Sequence, residues 1–351
     1  MFLGKPAKWW LALLILLCGL GIAALVYAGF LGEWHAAFDT LAHFRMHLAA
    51  GVAAAALLLA LFRGWRPASA GLLAAALLPV LATLGLPDLN WSGTANAAPD
   101  DAPRYRMLHL NLRYDNPDKG AVLSMIGREK PDIVTLIEVS AQWEPRLEVL
   151  RAAYPYRLRC HQDSRNGGVT ILSRRPFAQG GRQECKDDGT LALGTVDFGG
   201  QAVDVVALHI GWPWPFWQKW QVENAAQTLA TLGPTAILGG DFNATPWSVM
   251  AQRVAASGSL RFTRWVGPTW IDRRAPDMLR PYIGLPIDHI LVKGAVVEQP
   301  PHRLGNVGSD HLPVVMDFTL LPTQEAPAVQ QAGLRSRTSP PETGPKELTV
   351  H

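Results

Sequence analysis

The chain has 351 residues, 48% of them hydrophobic and 17% charged, with a formal net charge of +3. This composition excludes collagen-like, disordered and disulfide-dense classes, and the charged fraction lies below the roughly 25% of an average soluble protein, so apolar residues are concentrated somewhere. The first 96 residues hold five Lys/Arg and three Asp/Glu, which leaves 27 Lys/Arg against 26 Asp/Glu in the remainder, and no basic nucleic-acid arm stands behind the net charge.

Trp9 to Gly32 run 24 positions without a charge, enough at about 1.5 Å per residue to cross a hydrocarbon core of roughly 30 Å. A cleaved signal peptide is the competing reading, since Lys5 and Lys8 form a positive flank, but the run exceeds the usual length of such a segment. The segment from about Thr40 to Phe62 reads as a second span in which Arg45 must snorkel towards an interface. Pro67 to Leu86 reads as a third, with Pro79 tolerated where neighbouring helices satisfy the freed carbonyl. Lys5 and Lys8 precede the first run, Arg63 and Arg66 separate the second and third, and Leu31 to Asp39 carries no basic residue, so the amino terminus is expected inside. With three spans the rest of the chain faces the far side, the periplasm or exterior if the membrane is the inner membrane of a bacterium. If the middle run is re-entrant, the rest faces the cytoplasm. His35, His43 and His47 cluster near the outer end of that run, where a metal site competes with titratable side chains lying cheaply at an interface.

The expected organisation is a membrane anchor over residues 1–86, a linker over 87–103, a compact domain over 104–321 and a disordered tail over 322–351. In the compact domain, apolar runs predict strands at Met107–Leu112, Ile133–Val139, Val169–Leu172, Leu191–Val196, Val203–Ile210, Ala236–Leu238, Ile287–Val292 and Leu312–Phe318. Helical patterns fall at Ala121–Lys130, Ala141–Ala152, Trp217–Leu232 and Ser248–Ala256. Many strands with few helices, in mixed order, fit two packed sheets with helices outside better than a strand-helix barrel. Three cysteines exclude a Cys-rich zinc site, and Cys160 and Cys185, the two outside the apolar runs, are expected to be bonded in an oxidising compartment.

Most of these strands carry a metal- or phosphate-binding type of residue at one end: Asn111, Glu138, His209, Asp241 with Asn243, Asp288, and Asp310 with His311. Strand termini are rigid, so such side chains converge on one rim at little entropic cost. In Gly239-Gly240-Asp241-Phe242-Asn243 the glycines permit close backbone approach, and the carboxylate and amide two residues apart point the same way. A simple turn is the competing reading of that segment alone. In Ser309-Asp310-His311 a carboxylate precedes a histidine, a pairing suited to acid/base work at phosphate, although a capped turn has the same sequence. The run Trp212-Pro213-Trp214-Pro215-Phe216-Trp217 follows His209, and reads either as a membrane-interface patch or as a packed loop with inward rings.

Taken together, these segments resemble the endonuclease/exonuclease/phosphatase superfamily, the deoxyribonuclease I-like phosphodiesterases. The resemblance spans about Arg104 to Leu320 and rests on Leu110-Asn111-Leu112, Pro131-Asp132-Ile133-Val134 leading to Glu138, Gly168 to Arg174, Leu208-His209, Gly240 to Asn243, Pro268-Thr269-Trp270, Ile287 to Ile290, and Ser309 to Pro313. It implies an α/β (α+β) four-layered sandwich of two mixed β-sheets flanked by helices, here preceded by three transmembrane helices. It implies Mg2+ or Mn2+ as cofactor, with no nucleotide, and hydrolysis of a phosphoester by in-line attack of water. Asn111 and Glu138 then look like metal-site residues, Asp241 and Asn243 like the residues positioning water and phosphate, and His209 and His311 like phosphate-contacting acid/base groups. Asp288 would support the imidazoles, and Asp310 would either orient a histidine or contact the metal. Two positions depart from the pattern: Ile137 stands where a Gln usually precedes the metal-binding Glu, and Arg113 stands where some DNA-repair members have a carboxylate.

A near-neutral domain gives nucleic acid little electrostatic support, whereas tethering favours a phosphoester of the envelope, lipid-like or otherwise. A nuclease acting outside the cytoplasm and a non-catalytic binding protein on the same fold are the competing functions, and no obligate protein partner is evident. For topology, a reporter fused after Asn96 is expected to be active only on the non-cytoplasmic side. Cytoplasmic activity would show that the middle run does not cross.

Overall fold

A computed structural model describes residues 5–85 and 102–322. Most of the expected linker, and the tail beyond residue 322, lie outside the described residues. Four helices open the chain: α1 (Lys5–Ala28), α2 (Ala36–His43), α3 (Arg45–Ala60) and α4 (Arg66–Leu84). Helices then alternate irregularly with strands: β1 (Arg104–Asn111), α5 (Lys119–Glu129), β2 (Ile133–Val139), α6 (Glu144–Leu147), β3 (Tyr156–Cys160), β4 (Gly168–Ser173), β5 (Gln183–Lys186) and β6 (Leu191–Asp197). They continue with β7 (Ala202–His209), α7 (Gln218–Leu229), β8 (Ala236–Asp241), α8 (Val249–Ser257), β9 (Arg261–Phe262), α9 (Arg280–Ile283), β10 (Asp288–Lys293), β11 (Val296–Glu298), β12 (His302–Arg303) and β13 (Val314–Leu320).

The strands form two mixed sheets. One has the order β11-β13-β1-β2-β4-β3 with β12 against β13, the other β5-β6-β7-β8-β10-β9. In both, a single parallel pair, β1 with β2 and β7 with β8, sits among antiparallel neighbours. Period-two alternation explains the layering. Met107, Ile133, Ile171, Val205, Ile237, Ile290 and Met316 interdigitate between the sheets. The opposite faces carry Leu108, Leu110 and Val134 against Val122 and Met125 of α5, and Val206 and Leu238 against Val222 of α7 and Val254 of α8. The result is the expected four-layered sandwich. Helix starts follow their caps, with Asp118 accepting from the Ala121 amide and Ser248 from the Ala251 amide. The long helix expected over Ala141–Ala152 is instead α6 and a separate 3-10 turn at Glu148–Leu150. The missed strands, β3, β5, β9, β11 and β12, are short or carry alternating charge, and only pairing with a neighbour stabilises them as strands.

Cys160, closing β3, is bonded to Cys185 in β5, with their Cα atoms 5.3 Å apart. Because β3 and β5 are edge strands of different sheets, the bond ties the two sheets together at one side.

In the N-terminal bundle, small residues such as Ala12, Ala56 and Ala76 pack with Val52, Leu59 and Leu72, while Leu14, Leu17, Leu57, Leu58, Leu77 and Leu78 face outward. Two helices, Pro6–Ala28 and Arg63–Leu84, are long and apolar enough to cross a membrane. The run expected as one span over 40–62 is bent by 67° between α2 and α3. Arg45 does not snorkel. Its guanidinium is buried, donates to the Gly29 carbonyl at 2.9 Å and to Thr83 Oγ1 at 3.0 Å, and lies over the Phe30 ring. Internal partners for both terminal nitrogens remove the need to reach water. At the other end of the bundle Trp9 meets Trp65, their ring centroids 5.9 Å apart, so α3 and α4 extend alongside most of α1.

The bend exists because α2 is engaged elsewhere. Asp39 accepts from the amides of Val249 at 2.7 Å and Met250 at 3.1 Å, supplying a capping carboxylate to α8 from a distant segment. Trp247 Nε1 donates to the Ala42 carbonyl at 2.7 Å, and His43 Nδ1 lies 3.3 Å from Thr245 Oγ1. His35 caps its own helix, His43 faces Thr245 and His47 lies near the Tyr282 backbone, so these histidines are dispersed over separate neighbours rather than gathered as a metal site. Replacing Cys160 and Cys185 together by Ala is expected to cost about 3 kcal/mol through release of the closed loop, read as a fall of about 6–12 °C in thermal midpoint of the detergent-solubilised chain. An unchanged midpoint would show that the bond adds no constraint.

Candidate active site

The strand directions bring the polar ends together. β1, β2, β7 and β8 run towards one rim, and the antiparallel β10 and β13 start from it. On β7, Val203, Val205 and Ala207 face the inter-sheet core, so His209 follows them inward; on β8 the same parity runs Ile237, Gly239, Asp241; on β10 it runs Asp288, Ile290, Val292. His209 stands opposite Asp241, and Asp241 opposite Asp288. On β1, Asn111 shares the parity of Met107.

Glu138 breaks the pattern. Val134 and Leu136 face the outer layer, and a straight β2 would send Glu138 there as well. The register slips between Leu136 and Val139, and Glu138 takes a left-handed φ of 59°. This bulge turns the carboxylate to the rim, where Oε1 accepts from Asn111 Nδ2 at 3.3 Å and Oε2 from the Tyr114 amide at 2.8 Å. Beneath the site the sheets approach so closely that a Cβ on Gly239 would lie 2.4 Å from Thr135 Oγ1 and 2.6 Å from Met107 Cε. This is the close approach expected of the glycine pair.

At the centre, His311 Nδ1 bonds Asp288 Oδ2 at 2.8 Å, and its Nε2 lies 3.7 Å from Asp241 Oδ2. His209 Nε2 is 3.9 Å from the same Asp241 oxygen. Asn111 Nδ2 also donates to Asp241 Oδ2 at 2.9 Å, and the Asn243 amide to Asp241 Oδ1 at 2.9 Å. Asn243 Nδ2 is committed to the Ile210 carbonyl at 2.9 Å. Burial works to lower His311, but Asp288 and Asp241 together lift it to about 10. Burial also disfavours the Asp288 carboxylate, yet His311 and His109 hold it well below the usual range. Asp241 goes the other way: burial, with Asp288 adding to it against His311, pushes it up to about 6. Burial likewise raises Glu138, opposed by the Tyr114 amide and the His311 charge and assisted by Asp310.

Every residue singled out from the sequence thus lies at or beside this rim, with two changes of partner. His311 is held by Asp288, which starts the neighbouring sheet's β10, and not by its chain neighbour Asp310; chain adjacency does not make two side chains face each other. Asn111 turns its amide nitrogen to Glu138 and Asp241 because its oxygen accepts from the Arg113 amide at 2.9 Å. Sequence reading missed His109, buried with Nδ1 3.0 Å from Thr135 Oγ1 and Nε2 3.4 Å from Asp288 Oδ1. Its signal was parity, two residues before Asn111 on the inward face. It also missed Gln218, whose amide donates to the Gly211, Phe242 and Asn243 carbonyls and joins the loops after β7 and β8. Thr269 Oγ1 accepts from the Ile287 and Asp288 amides, which is how Pro268-Thr269-Trp270 seats the first residues of β10.

For a cation, Asp241, Asp288 and His311 offer ligand atoms within 4.8 Å of one another, a buried acidic and histidine group that could bind a metal. The Asp288–His311 bond already occupies two of these groups. Asp310, like Asp288, has a buried Oδ1 without a hydrogen-bond partner among the described residues, and its charge adds to that of Glu138. Two neighbouring carboxylates with an unanswered buried oxygen are a donor set that a hard divalent cation fits.

Two mixed sheets in four layers, with acids and histidines gathered on one rim, define a deoxyribonuclease I-like fold. The sequence profile of the Endonuclease/Exonuclease/phosphatase family matches residues 108–311. The chain belongs to that family, which is in general one of phosphoester hydrolases. No curated protein matches it by sequence. Among solved structures, an endonuclease/exonuclease/phosphatase from Bacteroides vulgatus is 18% identical with a TM-score of 0.51, covering 62% of this chain and 100% of that one. An AP endonuclease from Archaeoglobus fulgidus is 18% identical with a TM-score of 0.50, covering 60% and 98%. D. rerio TDP2 complexed with a single-strand DNA product is 18% identical with a TM-score of 0.50, covering 62% and 99%. At these identities the likeness concerns the fold.

The charge state of His311 carries a test. A histidine raised from 6.5 to about 10 by folding contributes stability that is complete below pH 6.5 and lost as pH rises through about 10. The thermal midpoint should therefore fall across that interval, and Asp288→Asn should flatten the fall. Parallel profiles for parent and variant would show that Asp288 does not hold the imidazolium.

Proposed function

We propose that the chain is a membrane-anchored, divalent-metal-dependent phosphoesterase, with residues 1–86 as the anchor and 104–321 as the catalytic domain. The observation that carries this reading is the gathering at one rim of Asn111, Glu138, Asp241, Asp288, His209 and His311, with the Asp310 charge acting on Glu138. Glu138 and Asp310 would hold Mg2+ or Mn2+, which when bound supplies Lewis-acid charge neutralisation at a phosphoryl oxygen.

The chain's own groups account for the proton and the phosphate. Asp241, lifted to about 6, is an acceptor poised near neutral pH for a proton of the attacking water, with Asn111 and the Asn243 amide fixing its orientation. The water oxygen bonds to phosphorus as the opposite ester P–O bond breaks. His311, kept cationic by Asp288, stabilises charge on the phosphoryl oxygens. His209, the less buried of the two rings, returns a proton to the leaving oxygen. His109 positions Asp288 from behind.

Three crossings, with the amino terminus inside and the catalytic domain on the opposite side, are supported by the basic residues near Trp9 and Trp65 and by the Cys160–Cys185 bond, a feature of oxidising compartments. The retained acidic and histidine set favours an enzyme over a binding protein.

Glu138→Gln is expected to lower metal affinity and rate together, with part of the rate recovered by added Mg2+ or Mn2+. Asp241→Asn and His311→Ala should depress turnover by at least about 10²-fold with no rescue by metal. Rates are measured on bis(4-nitrophenyl) phosphate beside thermal midpoints for the same variants. Parental rates in all three variants, or no metal-dependent hydrolysis by the parent, would overturn the assignment.

A further inference from the structure

The rim that carries the site is also the rim that touches the anchor. After β8, the chain passes from Asp241 and Asn243 directly to Thr245 and Trp247, which bond His43 and the Ala42 carbonyl. After β7, it passes from His209 to Trp214, whose carbonyl accepts from Thr40 Oγ1 at 3.3 Å and whose ring meets His35 at 6.2 Å between centroids. Before β10, α9 comes beside α3, where the Tyr282 backbone lies near His47. Three loops leading to site residues therefore abut the same end of the helical bundle.

Those loops are apolar where they are not in contact. Phe216 is 63% exposed, Trp217 78%, Met278 77% and Tyr282 76%. The packed-loop reading of the aromatic run does not hold for these rings. Trp34, in the turn between α1 and α2, is 79% exposed as well. Exposed aromatics beside a cleft are uncommon on a soluble surface, and Trp and Tyr favour the boundary between hydrocarbon and water. Here they continue outward from a bundle whose own outer face is leucine, so one apolar surface runs from the helices to the lips of the site.

We infer, resting on the phosphoesterase reading above, that the substrate is a phosphoester of a membrane lipid, taken from the bilayer in which the anchor sits. Phe216 and Trp217 on one side and Met278 and Tyr282 on the other rest in the interface, and the lipid phosphate rises between them to Asp241 and His311 while its chains stay in the hydrocarbon. The hydrolysis balances as water plus lipid phosphodiester giving a phosphomonoester and an alcohol. The water oxygen forms the new P–O bond, one ester P–O bond breaks, and the proton held by the acid/base groups passes to the released oxygen. A rim pressed to a bilayer leaves duplex nucleic acid little room, and the near-neutral charge of the domain offers it little attraction.

The test uses the full chain reconstituted in vesicles of phosphatidylethanolamine and phosphatidylglycerol with Mg2+ or Mn2+, scoring diacylglycerol and phosphatidate. Bis(4-nitrophenyl) phosphate and single- and double-stranded DNA are offered to the same preparation. The parent should release a product lipid, and Phe216→Ala with Trp217→Ala, or Met278→Ala with Tyr282→Ala, should lower that rate at least about tenfold while bis(4-nitrophenyl) phosphate turnover and thermal midpoint stay within about twofold and about 2 °C of the parent, as for ordinary surface substitutions. Trp217→Phe should retain the lipid rate. Hydrolysis of the soluble diester without any product lipid, lipid rates indifferent to all four side chains, or DNA cleaved in preference to lipid would each overturn the lipid assignment alone. No hydrolysis of the soluble diester by the parent would overturn the phosphoesterase reading beneath it.

Discussion

Two carboxylates, Asp241 and Asp288, stand opposite each other on neighbouring strands at the closed end of the sandwich, and both are buried. Like charges removed from water at such a distance are costly unless a cation answers them. His311 supplies it, and supplies it from the other sheet, since it leads into β13 whereas Asp288 opens β10. The Asp288–His311 bond is therefore both the electrostatic solution of the site and a clamp between sheets at this rim. The Asn111–Asp241 bond repeats that role from β1. Around this closure the other features take their place: glycine at 239 lets the sheets approach, the β2 bulge brings Glu138 in from the outer face, and Thr269 seats the start of β10.

The opposite signs of the two aspartate shifts follow from the same geometry. Asp288 has the imidazole hydrogen bond and stays ionised, while Asp241, equally buried, is hydrogen-bonded only by neutral amides and is raised. Neighbouring acids with separated affinities for the proton are what general acid/base work requires. A separate pair, Glu138 and Asp310, has no such imidazole bonded to it and, on the proposed reading, is the part of the rim that would hold the cation.

The N-terminal helices are built into this arrangement. Asp39 caps α8, which packs behind β8, and the turn from Asn243 to Trp247 is bonded to α2 along its length. The helical bend at Phe44 has its reason in those bonds, because α2 cannot both follow α3 through a bilayer and lie against the domain. On the proposed reading, a membrane anchor joined in this way to the loops of the rim would orient that rim towards the bilayer, which a flexible linker would not do.

Much of the fold was legible in the sequence because a buried strand must be apolar and a rim residue must not be. The eight long strands, the sandwich, the apolar helices and the cluster of Asn111, Glu138, His209, Asp241, Asp288 and His311 all follow from local composition at strand ends. The short strands β9 and β12 were not legible, since two residues carry no periodicity. Which carboxylate holds His311 was also beyond reach: Asp310 is adjacent in the chain, but Asp288 is adjacent in space, and the pairing depends on how one sheet closes on the other. The sequence by itself determined which residues are available at the rim and that the first part of the chain is apolar enough for a membrane. Only the tertiary structure decided that Glu138 turns inward, that Arg45 finds partners inside the bundle and that the rim abuts the N-terminal helices, because each rests on contacts between segments far apart in the chain.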